Sequence, residues 1–240
     1  MPPGRELATL PTSPPVIASP SQLLALARPG RYAPGVTAAE VMFPDPPVSA
    51  PERDQFVVLN DVDWKTYCAM RELFDSPGVR MTYLKGALEI MSPSRRHEGY
   101  KTRIARLIEL YALERNVRLS GYGSTTFRAA FAERGLEPDE CYVLERELAD
   151  DEYPDIALEV VITGGGLNKL EVYRGLGVPE VWFWHQGAFS VYGLEAGGYV
   201  RRERSGFIPE LDFAELAAFA EEPDQLAALK SYQQRLRVRG

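Results

Sequence analysis

From about residue 54 onward the chain alternates between two hydrophobic rhythms, one helical and one of period two. Asp61–Phe74 reads as a helix, with Asp61 or Asp63 as its cap and Ser76-Pro77-Gly78 as its stop. Val79–Tyr83 and Ala87–Met91 alternate on either side of Lys85-Gly86, which predicts a hairpin. Ser92-Pro93-Ser94 ends the second strand and supplies a cap for a long helix. In that helix Ile104, Leu107, Ile108 and Tyr111 recur at i, i+3, i+4 and i+7, one buried stripe. A strand follows near Thr125–Phe131, then two more around Asp139–Leu144 and Ile156–Ile162, and a helix over 168–176. Glu180–Trp184 and Phe189–Tyr192 form a second hairpin about Gln186-Gly187, and the chain from Asp212 is helical and amphipathic. Strands in the middle with helices between and at either end predict an α/β (α+β) fold, one mixed β-sheet core flanked by helices.

The first fifty residues hold 11 of the 19 prolines. Proline fixes φ and removes an amide donor, so this stretch is excluded from long helices and central strands. Residues 1–53 are therefore expected as an extended arm, with one short helix around Ser21–Ala27, packed on the domain or on a partner subunit. That second placement leaves a homodimer open. Residues 54–211 form the expected core domain and 212–240 a helical tail.

Composition alters this picture little. Of 240 residues, 45% are hydrophobic and 25% charged, ordinary values for a globular protein with a sizeable core. A net charge of -7 argues against a protein that coats nucleic acid non-specifically, which needs a dense Lys/Arg surface. It leaves room for an enzyme that grips one phosphodiester locally. Cys68 and Cys141 stand far apart in no ligand spacing and are read as reduced, buried residues. No run of about 20 apolar residues occurs, so no membrane span is expected and the protein is placed in the cytoplasm.

The candidate chemistry lies in the middle strands. Asp139 opens one strand and Glu159 lies well along the next, with the polar stretch Arg146–Tyr153 between them as a turn. Cross-strand partners in an antiparallel hairpin have position numbers of constant sum, and a turn centred near residue 149 sets Asp139 opposite Glu159. Two carboxylates so placed, with Cβ atoms about 5 Å apart, repel unless a proton or cation lies between them. A hard divalent ion with oxygen ligands suits them. Lys169 opens the following helix after Gly164-Gly165-Gly166 and Asn168, from where it can reach back over the strand end to developing phosphoryl charge.

The segments Gly86-Ala-Leu-Glu-Ile-Met-Ser-Pro-Ser94 with His97, Glu137-Pro-Asp139, Pro154-Asp-Ile-Ala-Leu-Glu-Val160, and Lys169-Leu-Glu-Val-Tyr173 with Gly177-Val-Pro-Glu-Val-Trp182 carry a resemblance. In this order, over roughly residues 60–195, the chain resembles the Uma-type (Uma-two) family of restriction endonucleases, placed in the PD-(D/E)XK nuclease superfamily. The resemblance implies a core sheet flanked by helices, a divalent metal (Mg²⁺, with Mn²⁺ as substitute), and hydrolysis of a DNA phosphodiester. It implies Asp139 and Glu159 as metal ligands and Lys169 as catalytic lysine. It also places Glu89 and His97, which flank the turn at Ser92-Pro93, at the cleft as second-rank candidates. The superfamily pattern sets its lysine two positions after the acid, where this chain has Val161. In the Uma-type family the lysine sits further on, in the next helix, and Lys169 matches that placement. The loop before Lys169 is short and glycine-rich here, where the family carries a Ser-Pro-Ser-Thr-like stretch and another Asp.

Plainer readings compete. Asp139 can cap a turn, Lys169 can be a surface lysine and His97 an ordinary first-turn residue. Asp155 is a strand-entry residue and the reserve metal candidate, though about 13 Å along the strand from Glu159. Arg95, Arg96, Lys101, Arg103 and Arg106 make either a solvated helix face or a phosphate-facing strip. The glycine run fits neither nucleotide-binding spacing. The alternative to an enzyme is a catalytically degenerate nuclease-fold module that binds nucleic acid or a protein; a hydrolase of another phosphate ester comes third.

Overall fold

The computed structural model describes residues 53–239 apart from 75, 77 and 165. The expected arm, including its short helix, lies outside these residues save for Arg53. Chain order begins with β1 (Gln55–Leu59), α1 (Trp64–Leu73), β2 (Arg80–Leu84), β3 (Ala87–Ser92) and α2 (Arg95–Arg115). Short strands β4 (Leu119–Gly121), β5 (Phe127–Ala129) and β6 (Arg134–Leu136) lead to β7 (Glu140–Leu144) and β8 (Ile156–Val161). Then come α3 (Lys169–Leu176), β9 (Glu180–His185), β10 (Ala188–Glu195), β11 (Gly198–Arg202), α4 (Phe213–Glu221) and α5 (Gln225–Val238).

Local chemistry sets these elements. Asp63 caps α1 by accepting from the Thr66 amide at 2.7 Å, and Ser94 caps α2 by accepting from the His97 amide at 3.1 Å. Lys85-Gly86 and Gln186-Gly187 all adopt positive φ, the two-residue hairpin turn whose twist matches its strands.

The strands form two sheets rather than the single one expected. One is antiparallel in the order β1-β3-β2-β6-β5; the other runs β11-β10-β9-β8-β7-β4, with β8 and β9 parallel. The separation is not visible locally, because β1 and β6 join β3 and β2 across long stretches of chain. The parallel β8–β9 pair requires a crossover, which α3 provides.

The six-stranded sheet is covered on both faces, and period two sorts β8 between them. Ile156, Leu158 and Val160 face a core shared with Ile104, Leu107 and Ile108 of α2 and with Leu216, Ala220, Tyr232 and Leu236 of the two C-terminal helices. Ala157 on the other face joins Val172, Tyr173 and Leu176 of α3 and Phe127, Ala129 and Leu136 of the five-stranded sheet. Glu159 continues the Ala157 row and Asp139 the Cys141 row, so both carboxylates enter the layer where α3 lies. Both cysteines are free. Among the described residues no helix is long and apolar enough to cross a membrane.

Candidate active site

The β7–β8 ladder pairs Glu140 with Leu158, Cys141 with Ala157 and Tyr142 with Ile156. Each sum is that of Asp139 and Glu159, so the ladder extended by one step brings these two opposite each other. The turn that fixes this register is pinned by Asp155, whose carboxylate accepts from the Leu144 amide at 2.8 Å and from Arg146 at 3.0 Å. Asp155 is thus occupied at the far end of β8 from Glu159.

Glu159 is fully buried and Asp139 nearly so. Asp139 accepts from the Val160 amide at 2.7 Å on one oxygen and meets His97 Nε2 at 2.9 Å on the other. Glu159 takes Lys169 Nζ at 2.6 Å on Oε2 and the Tyr173 hydroxyl at 2.5 Å on Oε1. Lys169 and Tyr173 stand four apart on one face of α3, so a single helix grips both oxygens of one carboxylate.

Charges follow from this geometry. Burial works to raise the Asp139 carboxyl, but His97, Lys169 and the Val160 amide outweigh it and hold the group below its usual range. Glu159 is pushed up, first by burial and then by Asp139, against the pull of Lys169 and Tyr173. The Lys169 ammonium loses solvation, yet Glu159 and Asp139 more than compensate and raise its pKa. His97 is desolvated too, but carboxylates on both ring nitrogens raise it to about 9.

The other partner of His97 is Asp54, at 3.2 Å from Nδ1. Glu89, on β3 of the other sheet, accepts from the Leu167 amide at 2.8 Å and acts electrostatically on Lys169. Gly166, beside it, has φ near +88°, and an added Cβ there would overlap the Glu89 carboxylate. A glycine is required at that point of the loop. Asp54, Glu89, Asn168 and Lys169 line a cleft of about 220 Å³ with Phe56, Met91 and Phe183 forming part of its apolar wall. A larger cavity of about 840 Å³, bordered by Tyr111, Arg115 and Tyr232, contains none of these acids or the lysine.

All five candidates from the sequence, Asp139, Glu159, Lys169, Glu89 and His97, are therefore linked: His97 on Asp139, Lys169 on Glu159, and Glu89 on the loop before Lys169. Sequence reasoning missed Asp54 and Tyr173. The i, i+4 spacing from Lys169 could have found Tyr173; nothing local marks Asp54. Of Arg95, Arg96, Lys101, Arg103 and Arg106 on α2, four have partners within the chain: Arg96 over the Tyr100 ring, Arg103 on the Ala220 carbonyl, Arg106 on Gln225 and Lys101 on Glu98. Trp182 and Trp184 are core residues.

The Uma2 family, whose description reads "Putative restriction endonuclease", matches residues 64–221, more than half of the 240. The chain belongs to the Uma2 family. The match spans α1 to the end of α4 and so includes every residue of the site named above except Asp54 and Phe56. No curated protein matches the chain.

A divalent ion is implied by the nuclease reading of Uma2; among the described residues no three His, Cys, Asp or Glu side chains form a ligand cluster, and the donors it would use are the carboxylate pair Asp139 and Glu159. Asp54, Glu89, Asp139 and Glu159 face only two cations within the set, His97 and Lys169, which leaves a formal excess of two negative charges. The oxygens are hard donors, and each carboxylate oxygen has a second lone pair beyond the hydrogen bond it already accepts.

Proposed function

We propose that this Uma2 protein is a Mg²⁺-dependent endonuclease that hydrolyses DNA phosphodiesters, with Mn²⁺ as a substitute. The observation that carries the reading is the placement of Asp139 and Glu159 one step beyond the β7–β8 ladder, with Lys169, which lines the cleft, on Glu159. Asp139 and Glu159 would hold the ion. When bound, the ion supplies Lewis-acid polarisation of a phosphoryl oxygen and a more acidic water.

The chain's own residues do the rest. Among the described residues, Lys169 is the one cationic side chain lining the cleft. Its ammonium neutralises Glu159 before substrate arrives and can donate to a phosphoryl oxygen as charge accumulates there. Tyr173 fixes Glu159 by its second oxygen and leaves one direction of approach. The apolar wall at Phe56, Met91 and Phe183 limits water and strengthens each charge inside. A DNA segment contacts this surface locally, consistent with a net charge of -7.

A second reading, a degenerate module that binds nucleic acid or protein, is favoured by one observation: all four oxygens of Asp139 and Glu159 already accept hydrogen bonds. Plasmid nicking with purified wild type and Asp139→Asn, in Mg²⁺ and in Mn²⁺, decides between them. Metal-dependent nicking lost in Asp139→Asn supports the nuclease. Wild type that binds metal and never nicks supports the module.

A further inference from the structure

We propose that Asp54 is a positioning residue of this site: its carboxylate holds the His97 ring so that Nε2 stays on Asp139. The inference rests on the reading of Asp139 as a metal ligand, and it adds a residue from outside the Uma2-matched region to the machinery.

The geometry is a closed chain of contacts. Asp54 Oδ2 meets His97 Nδ1 at 3.2 Å, and His97 Nε2 meets Asp139 Oδ1 at 2.9 Å. An imidazole has two nitrogens on opposite edges, so a carboxylate on each fixes the ring's rotation about both side-chain torsions. Asp54 is itself held by two further hydrogen bonds and by burial. Its Oδ1 accepts from the Ser94 amide at 2.8 Å, its own amide donates to Thr163 Oγ1 at 3.1 Å, and its side chain is buried. Ser94 is the cap residue that sets His97 in the first turn of α2, and Thr163 follows β8. Asp54 therefore ties the helix that carries the histidine to the strand that carries Glu159.

His97 shares the work on Asp139 with the Val160 amide, which donates to the second oxygen. With both oxygens directed, the carboxylate cannot rotate, and its free lone pairs point one way. Partners that orient a ligand in this manner are worth about 10- to 100-fold in metal affinity or activity. Asp54 enters the site because the segment before β1 passes over the start of α2 while β1 pairs with β3, Phe56 opposite Met91. It sits 43 residues from His97, and no spacing along the chain would reveal it.

The test uses the full chain. The protein has two histidines, His97 and His185, so ¹⁵N-histidine labelling gives ring N–H signals that one His185→Gln control assigns. In cation-free buffer, wild type should show His97 ring N–H protons protected from exchange on both nitrogens. Asp54→Ala should lose the Nδ1 signal and shift that of Nε2; Asp54→Asn, which keeps one acceptor oxygen, should retain it in part. Mn²⁺ affinity should fall about 10- to 100-fold in Asp54→Ala and less in Asp54→Asn. In a His97→Gln background the Asp54→Ala change should have no further effect, because the residue acts through the ring.

Asp63→Ala, which removes the cap of α1 and does not line the cleft, measures what lost stability alone does; it should leave Mn²⁺ affinity unchanged. If Asp54→Ala does not fold, Asp54→Asn carries both measurements. Wild-type ring signals and affinity in the Asp54 variants overturn the proposal, as does an Asp54 effect that adds fully to His97→Gln. A wild type that takes up no Mn²⁺ overturns it together with the nuclease reading. A wild type that binds Mn²⁺ without nicking DNA removes the nuclease reading alone, and the affinity comparison still decides Asp54.

Discussion

Lys169 Nζ lies 2.6 Å from Glu159 Oε2, an ion pair whose acid is fully buried and whose base retains 21% of its side-chain exposure. The pair makes a distinct demand on each partner. Removing the lysine strands a buried carboxylate, while removing the acid leaves a lysine that can still reach solvent.

Lys169→Ala should therefore lose stability in EDTA, at the lower end of the roughly 3–5 kcal/mol typical of breaking a buried pair. Saturating Mn²⁺ should narrow the gap, since a cation can replace the missing charge. Cleavage should fall by about 10²–10³ even with metal bound, the scale of one lost preorganised donor. Denaturant melts and plasmid nicking measure the two effects. A variant as stable and as active as wild type would remove Lys169 from the site.

A divalent ion should stabilise the wild type. A ligand specific for the native state contributes about 2.7 kcal/mol at a hundred times its Kd. Thermal melts with and without Mn²⁺ should show the shift in wild type and its loss in Asp139→Asn and Glu159→Gln. A shift that survives either substitution places the ion elsewhere.

Alkaline pH should weaken the cation-free protein through His97. Its folded pKa of about 9 lies above the 6.5 of a free imidazole, so its contribution is fully present below 6.5 and is lost as pH rises through 9. The loss is about 3 kcal/mol. Comparing wild type with His97→Gln in urea, at about pH 6 and about pH 10 in EDTA, isolates this group. A stability difference that stays flat across that range contradicts the buried, doubly paired ring.

The helices after Asp212 hold none of the site's acids or its lysine, yet Leu216 is fully buried among the residues that back β8 and α2. Leu216→Ala should cost about 2–5 kcal/mol. Metal affinity per folded molecule should stay unchanged. Loss below 1 kcal/mol, read by denaturant melts, would show that α4 is not packed as described.

How much of this could be read from the sequence depends on the range of each interaction. The hairpin that pairs Asp139 with Glu159 was legible because a ladder is arithmetic: one turn position fixes every partner. Ser94, Asp63 and the Lys85-Gly86 turn act within a few residues and were legible for that reason. The division into two sheets was not. Strands such as Leu119–Gly121, Phe127–Ala129 and Arg134–Leu136 are three residues long, too short to show a period. The role of Asp54 depends on β1 meeting β3, a contact between segments some thirty residues apart, and its own neighbours along the chain carry no sign of it.

The β7–β8 ladder also governs which changes of length the gene can tolerate. Pinned at its base by Asp155 and Arg146, the hairpin absorbs extra residues between Glu147 and Glu152 as a longer, solvent-exposed bend with the strands unmoved. A single codon lost within Glu140–Leu144 does something different. It slides one strand past the other by one position and turns Asp139 to the opposite face of the sheet, among Ile156 and Leu158. Frame-preserving insertions should thus accumulate in that bend among descendants of this sequence, while the five residues beside Asp139 keep their number whatever their identity.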